Sequence, residues 1–133
     1  MSKIGENMVL GIGIDIIEIV RVERALWRRR SLLGRLFTPP EIAYCLERGR
    51  PGASLAARFA AKEAVRKACS SAIPGEVIPW LDVEIDMDKG HPMVNFLGKT
   101  AQKAVANGIR DVFVSLSHSE EYACASVVLS GDQ

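Results

Sequence analysis

VFVSLSHSEEYACASVVL, residues 112–129, decides the architecture of this chain. Two runs of β-branched and small residues flank a polar SEE turn. Alternation in the first run puts Val114, Leu116 and His118 on one face and Ser115 and Ser117 on the other. That is the pattern of two antiparallel strands, each half covered by a core. Immediately upstream, Thr100 is expected to cap TAQKAVANG, a helix that Gly108 closes. Before it, LDVEIDM alternates as a half-exposed strand, DKGHP turns the chain, and MVNFL returns as a second strand. IPGEVIPW reads as a loop from its prolines and glycine.

The first half has a different character. VLGIGIDIIEIV, residues 9–20, reads as a strand, and the Arg-rich RVERALWRRR behind it as a helix. A short helix is expected around Leu32–Phe37. Thr38, the two prolines after it and Glu41 three residues on open another helix, which Gly49 stops. RPGA reads as a break before an alanine-rich helix from Ser54 to Ser70. Strands joined by short turns, with helices grouped early, predict an α+β fold. Its mostly antiparallel sheet would pack with the long alanine-rich helix and shorter helices, in one domain over residues 1–133.

The 133 residues are 48% hydrophobic and carry a net charge of +1 that is unevenly placed. Residues 1–67 hold 13 Lys and Arg against 7 Asp and Glu; the remainder holds 4 against 9. A basic half suggests an anionic partner: a phosphorylated ligand, an acidic protein or a nucleic acid. Nucleic acid is disfavoured, because stacking aromatics do not interleave the basic residues and the pI is near neutral. Three cysteines without C-x-x-C spacing read as reduced thiols of a cytoplasmic protein, with Cys124 as core packing. The apolar run at residues 9–20 is interrupted by Asp15 and Glu18 and is too short to cross a bilayer. It also lacks a small-residue cleavage signature, so neither a secretion signal nor a membrane anchor is expected.

Two carboxylates need a reason. On a helix, Arg58, Lys62 and Arg66 form a basic stripe, and Ala57, Ala61, Ala64 and Ala68 a small-residue stripe. Glu63 falls in the third stripe, with Leu55, Ala56, Phe59 and Ala60. An exposed Glu63–Lys67 pair at i,i+4, worth roughly 0.2–0.5 kcal/mol, is one reading. The company of Leu55 and Phe59 points to another, since a buried carboxylate must be paired, neutralised or bound to a metal. Asp15, in GIGIDIIEI, is either a strand residue facing solvent or a ligand. The dinucleotide fingerprint fails at Ile16, and no Walker-type glycine loop occurs. Asp15 would attract a phosphate only through a divalent cation. Magnesium is commonly held by one or two carboxylates, with waters and substrate phosphates completing its shell, and Asp15 with Glu63 would meet that demand. Serine catalysis is disfavoured, because Ser117 and His118 point to opposite faces. His118 alone could contact a phosphate or be structural.

Taken together, GIGIDIIEIVRVERAL, the F-T-P-x-E segment at Phe37–Glu41, SLAARFAAKEAVRKA, GHPMVNFLGKTAQKA and VSLSHSEEYACASVVL resemble the short, single-domain holo-[acyl-carrier-protein] synthases. The resemblance covers Val9 to Leu129 in the family's order. It implies a phosphopantetheinyl transferase of fatty-acid synthesis, which moves 4′-phosphopantetheine from coenzyme A to a serine of apo acyl carrier protein. Adenosine 3′,5′-bisphosphate is the other product. It further implies Asp15 and Glu63 as Mg2+ ligands, with Glu63 also a candidate base. Lys67 would stand near the scissile pyrophosphate, and His118, Gly90 and Pro92 would bind coenzyme. Arg21, Arg24 and Arg28 would meet the carrier protein. A homotrimer with its active sites between subunits is expected. Two features depart from the family pattern: Cys69–Val77 replaces a glycine-containing turn, and His91 stands where Lys or Arg is commoner. The competing reading is a non-catalytic basic module that docks an acidic protein.

Overall fold

The computed structural model describes residues 7–132. Its elements run β1 (Met8–Glu18), α1 (Ile19–Arg28), α2 (Ser31–Leu36), α3 (Pro39–Leu46), α4 (Pro51–Ala72), a 3-10 turn (Trp80–Asp82), β2 (Val83–Asp88), β3 (His91–Phe96), α5 (Gly98–Ala106), β4 (Ile109–His118) and β5 (Tyr122–Gly131). The quoted stretch forms the β4–β5 hairpin. β5 is the centre of an antiparallel sheet ordered β1-β5-β4, and β2 pairs with β3 in a separate hairpin. This is the α+β architecture that the alternation predicted.

Why α4 lies where it does follows from G-I-G. The alternation of β1 sends Gly11 and Gly13 toward α4, and a Cβ on either would overlap a carbonyl oxygen of the helix, that of Ala68 or of Ala64. Ala60, Ala61, Ala64 and Ala68 are buried to the same depth against β1 and β5, with Ala125, Val127 and Leu129. The two glycines and the alanine stripe thus serve close packing of strand on helix. The opposite face of the sheet is apolar as well: Ile12, Ile14 and Ile16 are 66–69% exposed.

Several boundaries differ from expectation. The chain enters α4 at Pro51, so Pro-Gly-Ala is its first turn; proline suits the first helical position, where its missing N–H costs nothing. The helix also continues to Ala72, so the atypical segment at Cys69 begins as helix and buries Cys69 and Ile73. Thr100 is no cap: α5 starts at Gly98, and the buried Thr100 hydroxyl donates to Asp82 Oδ2 at 2.7 Å, tying α5 to the 3-10 turn. Cys124 pairs between Ile16 and Ser117 on the outer face of the sheet and is half-buried there, outside the core. The D-K-G-H turn is a two-residue hairpin loop in which Lys89 and Gly90 both take positive φ, 50° and 83°, as a type I′ turn requires.

The basic stripe of α4 turns inward. Lys62 has no exposure and donates to Glu41 Oε1 at 2.6 Å and to the Trp80 carbonyl at 3.0 Å. Burial lowers its pKa, against the opposing pull of Glu41. Glu41 is equally buried and fully used: Oε1 also accepts the Thr38 N–H that completes the capping box, and Oε2 accepts the Ile85 N–H, both at 2.8 Å. The glutamate of F-T-P-x-E is therefore a buried joint between α3, α4 and β2.

Candidate active site

Asp15 follows Gly13 on the α4-facing side of β1, with 17% of its side chain exposed. Lys67 reaches it from α4: Nζ donates to Asp15 Oδ1 at 2.9 Å and to the Ile14 carbonyl at 3.0 Å. The close approach at the two glycines keeps helix and strand within that reach. Lys67 remains 54% exposed, so the pair contributes only about 0–1 kcal/mol to stability, and its value is positional.

Glu63 lies one turn before Lys67 on the same helical face, yet the expected Glu63–Lys67 pair is not made. Lys67 is spent on β1, while Glu63 Oε1 accepts Arg66 Nη1 at 2.7 Å and the indole N–H of Trp80. Arg66 stacks on the Trp80 ring at 4.4 Å and donates through Nε to the Ile78 carbonyl at 2.7 Å. Glu63 is thus neither packed nor free, with 25% of its side chain exposed. Both its donors fall on Oε1, and the donor to Asp15 falls on Oδ1. Among the described residues no hydrogen bond engages Glu63 Oε2 or Asp15 Oδ2. Two carboxylate oxygens without donors suit a hard, oxygen-seeking cation such as magnesium. Among the described residues no group of three or more metal-ligating side chains forms. A cation here would therefore depend on water and substrate oxygens.

The remaining candidates lie around this centre in separate groups. His118 ends β4 in the sheet row of Ile17, two strands across, on the same face as Asp15. It lines a cavity of about 320 Å3 with Tyr44, Arg48, Arg50 and Arg58. Arg48 and Arg58 both stack on Tyr44, at 4.2 Å each. Arg58 is buried and donates to Ser54 Oγ at 3.0 Å, while its Nε has no hydrogen-bond partner among the described residues. Arginines on several sides give this cavity side chains able to donate to an anion. Gly90 occupies the β2–β3 turn, with His91 and Pro92 opening β3. Arg21, Arg24 and Arg28 are all exposed on α1, and Arg21 borders an apolar cleft of about 290 Å3 whose walls include Ile17, Leu26, Phe59 and Trp80.

Trp80, Arg66 and the cavity-lining Arg48, Arg50 and Arg58 were not identified as candidates from sequence. The signal for Trp80 was present: an indole in a proline-rich loop needs a partner for its N–H, and an acidic residue is the strongest available.

A family model described as the 4'-phosphopantetheinyl transferase superfamily matches residues 11–127. Holo-[acyl-carrier-protein] synthase of Moorella thermoacetica is 51% identical over 118 residues, 88% of this chain and 91% of that protein. Among solved structures, holo-ACP-synthase of Plasmodium yoelii superposes with a TM-score of 0.82 at 27% identity, covering 96% of this chain and 98% of its own. A holo-(acyl-carrier-protein) synthase from Bacillus anthracis str. Ames, solved in complex with CoA (3',5'-ADP), gives 0.74 at 36% identity, covering 94% and 99%. The chain belongs to the 4'-phosphopantetheinyl transferase superfamily, among the holo-[acyl-carrier-protein] synthases.

Proposed function

We propose that this chain transfers 4′-phosphopantetheine from coenzyme A to a serine hydroxyl of apo acyl carrier protein, with Mg2+, in the cytoplasmic supply of fatty-acid synthesis. The observation that carries the reading is the meeting of Asp15 and Lys67 beside Glu63, with one oxygen of each carboxylate left without a donor among the described residues. Bound to those oxygens, magnesium would neutralise charge on the pyrophosphate of coenzyme A. Lys67 Nζ, tethered beside them, stabilises or protonates the departing adenosine 3′,5′-bisphosphate. The serine oxygen forms a bond to the β-phosphorus as the pyrophosphate P–O bond breaks, and Glu63 takes the serine proton directly or through a water. Positioning and charge neutralisation carry this chemistry, with no covalent intermediate on the protein.

His118, with Gly90 and Pro92, is proposed to hold the coenzyme, and the arginine-lined cavity beside His118 suits its phosphates. Arg21, Arg24 and Arg28 receive the acidic carrier, and the cleft beside Arg21 leads toward Glu63 through Trp80 and Phe59. The isoleucine face of β1, continued by Val128 and by Phe113 at 60% exposure, supports assembly as a homotrimer with active sites between subunits. Among the described residues no helix is long and apolar enough to cross a membrane.

Incubation with coenzyme A, magnesium and apo carrier protein should add the mass of one phosphopantetheine to the carrier. A panel of apo carriers that gains no mass would refute the proposal. A docking module would instead keep its partner when Glu63 is replaced by Gln, with no turnover to lose.

A further inference from the structure

Trp80 makes a contact that neither packing nor the proposed chemistry requires: its indole N–H points at the carboxylate of Glu63. The ring is held on several sides. Lys62 Nζ donates to the Trp80 carbonyl at 3.0 Å, and Lys62 is itself fixed by buried Glu41 at 2.6 Å. The Arg66 guanidinium covers one ring face at 4.4 Å, and Phe59 lies 6.4 Å away, tilted by 33°. An orienting chain thus runs from the core pair Glu41–Lys62 through the Trp80 backbone to its indole, and from there to Glu63.

A carboxylate with two free oxygens swivels about its last torsion, and either oxygen then serves a ligand. Committing Oε1 to Trp80 and Arg66 leaves Oε2 as the one oxygen on offer. The two donors differ in consequence. Arg66 brings a positive charge that competes with a cation for Glu63. The indole is neutral, so it gives direction without cancelling the charge that a cation needs.

We propose that Trp80 is a positioning residue that fixes Glu63 for magnesium through its N–H. The proposal rests on the reading of Glu63 as a magnesium ligand. Trp80 occupies the place that an orienting carboxylate or carbonyl takes behind a metal-bound histidine, and loss of such partners typically weakens metal binding about 10- to 100-fold.

The test uses the full chain with Trp27→Phe, which makes Trp80 the sole tryptophan of the two. Magnesium chloride is titrated while Trp80 emission, heat of binding and transfer activity are followed. Emission is expected to change with the midpoint at which activity saturates, and Glu63→Gln should abolish the change. In the parent chain, Trp80→Phe should raise the magnesium midpoint about 10- to 100-fold. KM for coenzyme A should hold at saturating magnesium. Benzothienylalanine at position 80 keeps the shape and stacking of the indole and removes only the N–H. It should raise the midpoint likewise, whether or not Trp80→Phe folds well. A wild-type midpoint with benzothienylalanine, while Glu63→Gln is inactive, overturns the role of Trp80 alone. Magnesium-dependent transfer by Glu63→Gln instead overturns the reading of Glu63, and the inference with it.

Discussion

Gly13→Ala should damage fold and site together. The added methyl would overlap the Ala64 carbonyl oxygen and lie 3.0 Å from the Ala68 nitrogen. Both are helix backbone, so no side chain can swing aside, and relief requires α4 to lift from β1 by about 1 Å. Overpacking of this kind costs roughly 1–3 kcal/mol, and two rigid backbones favour the upper end. For a chain of this size, about 4 °C of Tm goes with each kcal/mol, so Tm should fall by about 4–12 °C. Lys67 and Asp15 meet across the same gap, and a displacement of about 1 Å at a reacting centre costs about 100-fold in rate. Thermal melts and carrier-transfer rates, the latter measured well below Tm, check both numbers. Gly34→Ala is the control: nothing lies within 4 Å of its added methyl, and alanine gains about 0.5–1 kcal/mol inside a helix, so Tm should rise slightly with turnover unchanged. A Gly13→Ala protein with wild-type Tm and rate would refute the close-approach argument.

Other perturbations reach different parts of the molecule. Lys62→Met leaves the Glu41 carboxylate buried without its cation and should cost about 3–5 kcal/mol in urea unfolding. Burial pushes the Cys69 thiol up to about 11 from 9.0, so between those values the folded state holds a proton that the unfolded chain has released. Stability should therefore fall as pH climbs from 9 to 11, by up to about 3 kcal/mol, and Cys69→Ala should remove that slope. Reversing Arg21, Arg24 and Arg28 to Glu should raise KM for an acidic carrier and flatten its dependence on salt, with kcat retained. Cys124 should resist maleimide while copies of the chain cover the isoleucine face and react once they separate, with sedimentation as the check on assembly.

Much of this was legible in the residues. Period-two alternation located β4 and β5 because one face of that sheet meets α4 and the other does not. The stripes of α4 were geometrically right, but helical spacing alone does not say what each one meets: Glu41, from another helix, is brought against Lys62 of the basic row. Local spacing offers Glu63 two cations, Arg66 at i+3 and Lys67 at i+4, and cannot choose between them without knowing what else Lys67 can reach. The structure gives Lys67 to Asp15, 52 residues away, and Glu63 to Arg66 and Trp80. Thr100 and Pro51 were misjudged for a similar reason. A threonine before a helical run reads as a cap unless Asp82 is known to be beside it. A proline reads as a break unless it is the first helical residue.

In the proposed function Asp15 and Glu63 act as a pair in metal-dependent transfer. Mass spectrometry of an apo carrier protein, after incubation with coenzyme A and magnesium, tests it most directly when Asp15→Asn and Glu63→Gln are run beside the parent chain. One phosphopantetheine on a carrier serine is expected with the parent chain, none after chelation of the metal, and none with either variant, although both keep their Tm within a few degrees, on the order of 1 kcal/mol. Transfer at the parent rate by either folded variant would contradict it.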